Sequence, residues 1–330
     1  REEPMTGARD KGWLVALGPG ILVAATGVGA GDLATAAFAG GKLGPAVLWA
    51  VVVGALFKLV LNEGLARWQL ATGSTLLEGA VRHLGQPARW AFIGYLLLWS
   101  YFVGAALISA CGAAMHAIIP LGEARADKML YGVVHSAVAV VLVRLGGYRL
   151  FARVMSLCIA VMFVVVLTTA VAVDPPWAEV LWGLLLPRIP QLGGEGLPWT
   201  VALIGGVGGT VTVLCYGYWI REEGRTTVAE LPLCRVDLAV GYTMTALFGL
   251  AMVIIGSRVA VSGGGAALVV ELSRSLAQAL GPLARWAFLL GAWSAIFSSL
   301  LGVWQSVPYL FCDVWSLRPS GVASSNGRTV

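Results

Sequence analysis

Two clusters of glycine interrupt two long apolar segments of this chain. The first cluster, GVGAG, covers residues 27–31 and precedes Asp32, and the second, GGVGG, covers residues 205–209 and precedes Thr210. Because glycine costs about 1 kcal/mol in a helix interior relative to alanine, each segment is predicted to break near its middle. Lipid cannot satisfy the freed backbone groups, so such a break persists only where it lines a protein cavity. Paired breaks in two halves of a chain indicate the substrate site of a transporter.

The composition of the chain is typical of a multi-pass integral membrane protein. Of 330 residues, 58% are hydrophobic and 12% are charged, whereas soluble domains have about 25% charged residues. The net charge of +5 comes from single basic residues spread among the loops, which is typical of residues that set membrane topology. We therefore expect lipid contact and no nucleic-acid partner.

Eight apolar runs approach the length of about 20 residues that a bilayer requires. They lie near residues 13–39, 44–66, 90–119, 129–146, 150–172, 198–220, 236–257 and 285–312. With the N-terminus inside, the cytoplasmic loops contain about twice as many basic residues as the external ones, so we predict a cytoplasmic N-terminus in the plasma (inner) membrane.

The breaks fall in the first and sixth runs, the relation expected of two five-helix repeats of opposite topology. The predicted organisation is a cytoplasmic segment (1–12), a first repeat of five spans (13–172), an external connector (173–197), a partial second repeat of three spans (198–315) and a polar tail (316–330) that is disordered or artefactual. A short helix is expected between residues 259 and 284. The second repeat lacks two helices, so the chain looks truncated, and a non-functional fragment is one alternative.

Enzymatic and cofactor chemistry are not expected. The chain has no HExxH, GxSxG or Walker motif, and its five cysteines form no CxxC pair. Its three histidines are too few for a cage of several histidines. His116 and His135 lie in apolar runs, where a packing role is commoner than proton transfer.

Three places in the sequence resemble the natural resistance-associated macrophage protein (Nramp) family of metal-ion transporters. They are the run GPGILV at residues 18–23, the pattern from Arg67 through Thr72-Gly73 to Glu78, and GGTV at residues 208–211, where the family has G-A-T-V. The likeness extends to a serine-rich last span. It implies an all-helical bundle of the LeuT-type inverted-repeat fold with about eight transmembrane helices present.

The metal motifs of that family are altered in this chain. The family's D-P-G-N falls on residues 29–32, so Gly29 stands at the aspartate position and Asp32 at the asparagine position. The family's M-P-H falls on residues 212–214, which removes the thioether that favours softer metals. The resemblance thus implies a divalent cation, with a hard ion such as magnesium favoured, and no proton coupling.

Asp32 is the candidate metal ligand. An ionised carboxylate within a span is costly and is usually functional or paired. It could ligate a cation with freed carbonyls around it, or it could cap the half-helix that follows the break. Both interpretations remain open, as does an error in register.

Lys58, Glu63 and Arg67 on the second span are candidates for gating or charge pairing. Glu63 and Arg67 have the i,i+4 spacing of an ion pair. The Lys58 ammonium could neutralise Asp32 as an internal counter-ion, pair with Glu63, or extend towards the membrane surface. Arg221 lies at the end of the sixth span with Glu222, Glu223 and Arg225, and this mixed-charge group belongs to a solvated helix end or to a salt-bridge gate with Arg67 or Glu78.

Gly29, Asp32, Gly208, Thr210 and Thr212 are the candidate substrate-binding residues. The threonine hydroxyls would suit a hydrated hard ion or a small polar solute, although threonine also bonds back to helix carbonyls. The leading prediction is a secondary-active transporter of a divalent cation that works by alternating access. The alternative on the same fold is a transporter of a small organic solute.

Overall fold

The computed structural model describes residues 18–261 and 267–317, and this part of the chain is helical with no strand. The α-helices, in chain order, are α1 (Gly18–Gly27), α2 (Ala30–Leu43), α3 (Leu48–Thr72), α4 (Leu76–Leu84), α5 (Gln86–Ile118), α6 (Ala124–Ala172), α7 (Trp177–Leu185), α8 (Gly196–Gly206), α9 (Thr212–Glu222), α10 (Leu231–Arg258), α11 (Ala267–Leu280) and α12 (Pro282–Ser316). Two 3₁₀ turns, Gly44–Val47 and Val228–Glu230, lead into α3 and α10.

Five helical stretches of the described chain are long and apolar enough to cross a membrane. They are Ala30–Thr72, Gln86–Ile118, Ala124–Ala172, Val228–Arg258 and Pro282–Ser316. The shorter helices α1 and α8 are also apolar. All five spanning stretches coincide with predicted apolar runs, which identifies an integral membrane protein.

Helix α6 contains both runs that were predicted as the fourth and fifth spans. Gly147, at φ 60° and ψ 180°, lies outside helical geometry, so Ala124–Ala172 consists of two helices that meet at a kink. Glycine adopts this positive φ at little cost, and the kink lies between the two predicted spans, as expected.

Helices α10 and α12 form the centre of the bundle. In their most apolar windows 61% and 78% of the residues are buried, compared with 22% in α5, which faces outward. Small residues bring α10 close to α2, since a Cβ at Gly40 or Gly256 would overlap the backbone of the other helix. This contact holds α2, the second half of the first span, against the central helix α10.

The connecting segments differ in detail from the sequence-based expectations. Helix α11 confirms the expected short helix between residues 259 and 284, and the connector at 173–197 contains α7. Ser316 ends α12 and does not begin the tail. The cytoplasmic segment 1–12, the glycines at 263–265 and the tail from residue 318 lie outside the described residues.

Candidate functional site

The two glycine breaks meet inside the bundle. The first span is interrupted between the end of α1 at Gly27 and the start of α2, and the sixth between α8 and the start of α9. A Cβ at Gly27 would lie 2.7 Å from the carbonyl oxygen of Gly208. Gly208 and Gly209 have φ of 76° and 66°, which other residues adopt only with strain. Glycine is thus needed both for the turn and for the close approach.

The Asp32 carboxylate joins the two breaks. Its Oδ2 accepts the backbone N–H of Gly29 at 3.3 Å, and its Oδ1 accepts the N–H of Gly208 at 3.2 Å. The first bond caps α2, as one interpretation of the sequence proposed, and the second crosses to the other broken helix. Asp32 is half-buried and lines a small cavity of about 20 Å³ with Thr35, Val207 and neighbouring apolar side chains. In this conformation the carboxylate therefore caps α2 beside a cavity with room for about one water molecule.

Lys58 reaches the same junction from α3. Its ammonium donates a hydrogen bond to the carbonyl oxygen of Gly209 and interacts electrostatically with Asp32. The Lys58 ammonium and the Asp32 carboxylate thus bind two adjacent residues of the second break, Gly209 and Gly208. Of the two partners considered from the sequence, Asp32 interacts with Lys58, whereas Glu63 pairs with Arg67 and Arg235.

Serine hydroxyls from α12 satisfy the carbonyls that the first break frees. Ser298 Oγ donates to Ala25 O at 3.0 Å, and Ser299 Oγ donates to Thr26 O at 2.9 Å. Both serines are buried. Buried carbonyls without partners would each cost about 1–3 kcal/mol, so these hydroxyls make the first break tolerable.

The remaining predicted binding residues occupy different environments. Thr212 is buried and donates back to Gly208 O at 2.9 Å, whereas Thr210 is exposed. Gly29 is buried, and a Cβ there would lie 2.7 Å from Ser299 Oγ. The structure thus brings Gly29, Asp32, Gly208 and Thr212 together by hydrogen bonds, while Thr210 is exposed.

The charges predicted to act in gating lie further along α3 and α9. Glu63 pairs with Arg67, and it also accepts a bond of 2.8 Å from Arg235 Nε. Arg221 donates to the carbonyl oxygen of Gly73 at 3.0 Å. Glu78 caps α4 through the backbone of Thr75, so the gate between Arg221 and Glu78 that the sequence allowed is not formed in this conformation. The Arg221 bond connects the ends of α9 and α3, and the Arg235 bond connects α10 to α3.

A buried charged cluster around Asp237 was missed by the sequence analysis. Asp237, on α10, is fully buried and accepts hydrogen bonds from Gly20 N at 2.8 Å and from Tyr216 Oη and Arg225 Nη1 at 3.0 Å each. Gly20 belongs to α1 and Tyr216 to α9, so this carboxylate ties together halves of both broken helices. The signal was available, because Asp237 is a lone acid at the start of an apolar run.

A second polar contact missed from the sequence lies one helical turn beyond Lys58. Asn62 Nδ2 donates to Tyr242 Oη at 3.1 Å. The Asn62 side chain is 1% exposed, and its Oδ1 has no hydrogen-bond partner among the described residues. An unsatisfied buried acceptor beside a charged junction is uncommon and requires an explanation.

The donor set at the junction consists of oxygen atoms. Within residues 18–261 and 267–317, His, Cys, Asp and Glu side chains form no group of three or more that could hold a metal. The available ligands are therefore the Asp32 carboxylate, backbone carbonyls and hydroxyls, which suit hard cations. Both ring nitrogens of His135 have hydrogen-bond partners, since Nδ1 faces Tyr131 O at 2.6 Å and Nε2 accepts from Trp293 Nε1 at 2.8 Å, which agrees with the packing role expected from the sequence.

A comparison with protein families decides the relationship of the chain. The family model described as natural resistance-associated macrophage protein-like matches residues 20–324. The chain belongs to the Nramp family. Two Nramp relatives are named divalent metal cation transporter MntH. That of Klebsiella pneumoniae is 27% identical over 76% of this chain, and that of Aeromonas hydrophila is 27% identical over 82%.

This Nramp chain spans 60% and 65% of the lengths of those two relatives. A solved structure, the manganese transporter of Eremococcus coleocola bound to an aromatic bis-isothiourea substituted compound, matches with a TM-score of 0.65 and 21% identity. The match covers 95% of this chain and 66% of that one. It establishes the fold, and the chain has the LeuT-like inverted-repeat architecture of Nramp transporters.

Proposed function

We propose that this chain forms the substrate site of a secondary-active transporter that moves a divalent metal cation across the plasma (inner) membrane. The observation that carries the proposal is the Asp32 carboxylate, which contacts both broken helices at their meeting point. The named activity of the MntH relatives supports the same class of substrate.

The chemistry of the site favours a hard cation such as Mg²⁺ or Mn²⁺. Oxygen ligands from Asp32, from the carbonyl groups of the breaks and from Thr212 would suit such an ion, which keeps several waters in its shell. Leu214 stands where the family's M-P-H motif ends, and residues 212–214 supply no sulfur or imidazole ligand. We therefore expect weaker discrimination against Mg²⁺ than a thioether would provide.

Alternating access is the transport mechanism that we propose for this site. Rigid rocking of one helix bundle against the rest would expose Asp32 to each side in turn. Glu63 and Arg67 on α3, and Arg221 with its bond to Gly73 at the end of α3, would then act in gating at the side on which α1 begins. The N-terminus would face the cytoplasm.

Equilibrium binding of Mn²⁺ and Mg²⁺ to the chain in lipid nanodiscs tests the proposal. Asp32→Asn removes the charge and preserves the shape, so we expect divalent affinity to fall by about tenfold or more. Glu179→Gln, an exposed carboxylate on α7, is the matched control and should bind as the wild type does. Equal affinity of Asp32→Asn and wild type for every divalent ion contradicts the proposal.

One observation favours a second candidate, a small zwitterionic solute. The junction presents the Asp32 carboxylate and the Lys58 ammonium together, and these charges could match an ammonium and a carboxylate of one solute. Thermal-shift screening of divalent ions against amino acids separates the two candidates. Stabilisation by amino acids and not by metals would replace the first proposal with the second.

A further inference from the structure

We infer that Lys58 is a tethered competitor for the cation site and makes that site selective for divalent over monovalent cations. The inference rests on the proposed function, because it assigns a specificity-determining residue to the same site. Lys58 is neither a ligand of the transported ion nor a residue of the gate at the membrane surface. Its ammonium takes the place of the cation when the site is empty.

The position of the ammonium is the first support. Lys58 donates to the Gly209 carbonyl, and Asp32 accepts from the adjacent Gly208 N–H. A hard cation at the junction would need the same two oxygens, those of the Asp32 carboxylate and of the Gly209 carbonyl. Lys58 and a bound cation therefore compete for the Gly209 carbonyl oxygen.

The charge balance of the junction is the second support. Glu63, the next carboxylate along α3, is engaged by Arg67 and Arg235, so it does not neutralise Lys58. The electrostatic partner of Lys58 is Asp32. With Lys58 in place, its ammonium neutralises the negative charge of Asp32, so an added cation enters a site with no net charge.

Selectivity follows from competition between a tethered charge and a free one. A group on a short flexible tether is present at an effective concentration of about millimolar or higher. A monovalent ion brings no more charge than the ammonium, so it gains no electrostatic advantage over Lys58. A divalent ion has twice the Coulomb attraction to Asp32 and can displace the ammonium.

The displaced ammonium has an acceptor within reach. Asn62 lies one turn along α3 from Lys58, and its buried Oδ1 has no hydrogen-bond partner among the residues described. Side chains at i and i+4 of a helix are neighbours, and lysine has a flexible stem. Lys58 can thus move from Gly209 O to Asn62 Oδ1 as the cation enters, which accounts for the unsatisfied acceptor.

Binding of Mn²⁺ to the full chain in lipid nanodiscs, with Na⁺ as competitor, tests the inference. Lys58→Met removes the charge and retains the length, so Mn²⁺ should bind about tenfold more tightly or better, and Na⁺ should compete at millimolar concentration. Lys58→Arg should stay within about threefold of the wild type. Lys42→Met is the control and should bind as the wild type does, because Lys42 is exposed at the end of α2 and pairs there with Glu195.

Asn62→Leu provides an independent test of the displaced position. It should weaken Mn²⁺ binding in the wild-type background and leave it unchanged in the Lys58→Met background, because only a displaced ammonium needs the Asn62 acceptor. If Lys58→Met unfolds the chain, Lys58→Gln serves as the second neutral variant, and thermal unfolding identifies which of the two is folded.

The outcomes separate the inference from the proposed function. Wild-type Mn²⁺ binding that depends on Asp32 but is unchanged by the neutral Lys58 variants overturns the inference and leaves the function standing. If the neutral Lys58 variants bind Mn²⁺ more strongly but Na⁺ does not compete, the inferred role of Lys58 in selectivity is overturned. Failure of both the wild type and the Lys58 variants to bind divalent ions overturns the proposed function and the inference with it.

Discussion

The two breaks solve the same problem of freed backbone groups in different ways. At the first break, the carbonyls of Ala25 and Thr26 accept hydrogen bonds from the hydroxyls of short serine side chains on α12. At the second, two glycines adopt left-handed conformations, and the Gly209 carbonyl accepts the ammonium of a long lysine side chain. One set of partners is uncharged and fixed to a buried helix, and the other is charged and flexible.

This difference suggests which break changes during transport. The serine hydroxyls are on short side chains of the buried helix α12, whereas the long and flexible Lys58 side chain can leave Gly209 by changing rotamers. We therefore expect the first break to act as a rigid support for Asp32 and the second to be the part that opens to a cation. Substitutions of the residues that contact each break should therefore change the free energy of unfolding by different amounts.

The largest effect is expected at the carboxylate that holds both broken spans. Asp237→Ala removes the partner of Gly20 on α1 and of Tyr216 on α9 and breaks the buried ion pair with Arg225. Loss of one partner of a buried ion pair should lower the free energy of unfolding by about 3 kcal/mol. Unfolding in SDS measures it, with Glu179→Ala as the exposed control, and a loss no larger than that of the control would show that Asp237 does not hold the breaks.

The contact between the breaks should be nearly as sensitive. Gly27→Ala places a Cβ 2.7 Å from Gly208 O, so it should force the breaks apart and cost about 2 kcal/mol of unfolding free energy. Gly31→Ala, on the exposed start of α2, meets nothing within 4 Å and should be neutral or stabilise by up to about 1 kcal/mol. Equal effects of the two alanines on SDS unfolding would mean that the breaks do not touch.

A smaller loss is expected at the rigid partner of the first break. Ser299→Ala leaves the buried Thr26 carbonyl without its hydroxyl donor and should cost about 1.5 kcal/mol in the same unfolding measurement. Ser156→Ala removes an exposed hydroxyl that only bonds back to Ala152 O and serves as the control. A neutral Ser299→Ala would remove the basis for calling the first break the fixed one.

The smallest loss is expected at the flexible partner of the second break. Lys58→Met removes one hydrogen bond but also relieves the burial of an ammonium, so unfolding free energy should change by less than about 1 kcal/mol. A destabilisation well above that of Ser299→Ala would reverse the comparison, because the lysine would then be the structural element.

Much of the framework follows from local sequence. Glycine clusters in apolar runs predict the breaks because their backbone cost does not depend on tertiary contacts. The lone carboxylate Asp32 beside the first break is a candidate on the same ground. The division of α6 follows from local sequence as well, since the kink at Gly147 lies between the two runs that were predicted as separate spans.

The partners of the site residues could not be predicted in the same way. Whether Lys58 contacts Gly209 or Glu63 depends on the rotation of α3 and on its distance from the second break, and neither is encoded locally. Asp237 was visible as an acid in an apolar run, but its bond to Gly20 joins residues far apart in the chain. Contacts of that range require the packed bundle.

The most direct test of the account is a crystal structure of the chain with Mn²⁺, located by its anomalous scattering. We predict a peak within coordination distance of an Asp32 oxygen and of the Gly209 carbonyl, with Lys58 Nζ moved to Asn62. A peak remote from Asp32, or one at Asp32 with Lys58 still bonded to Gly209, would contradict it.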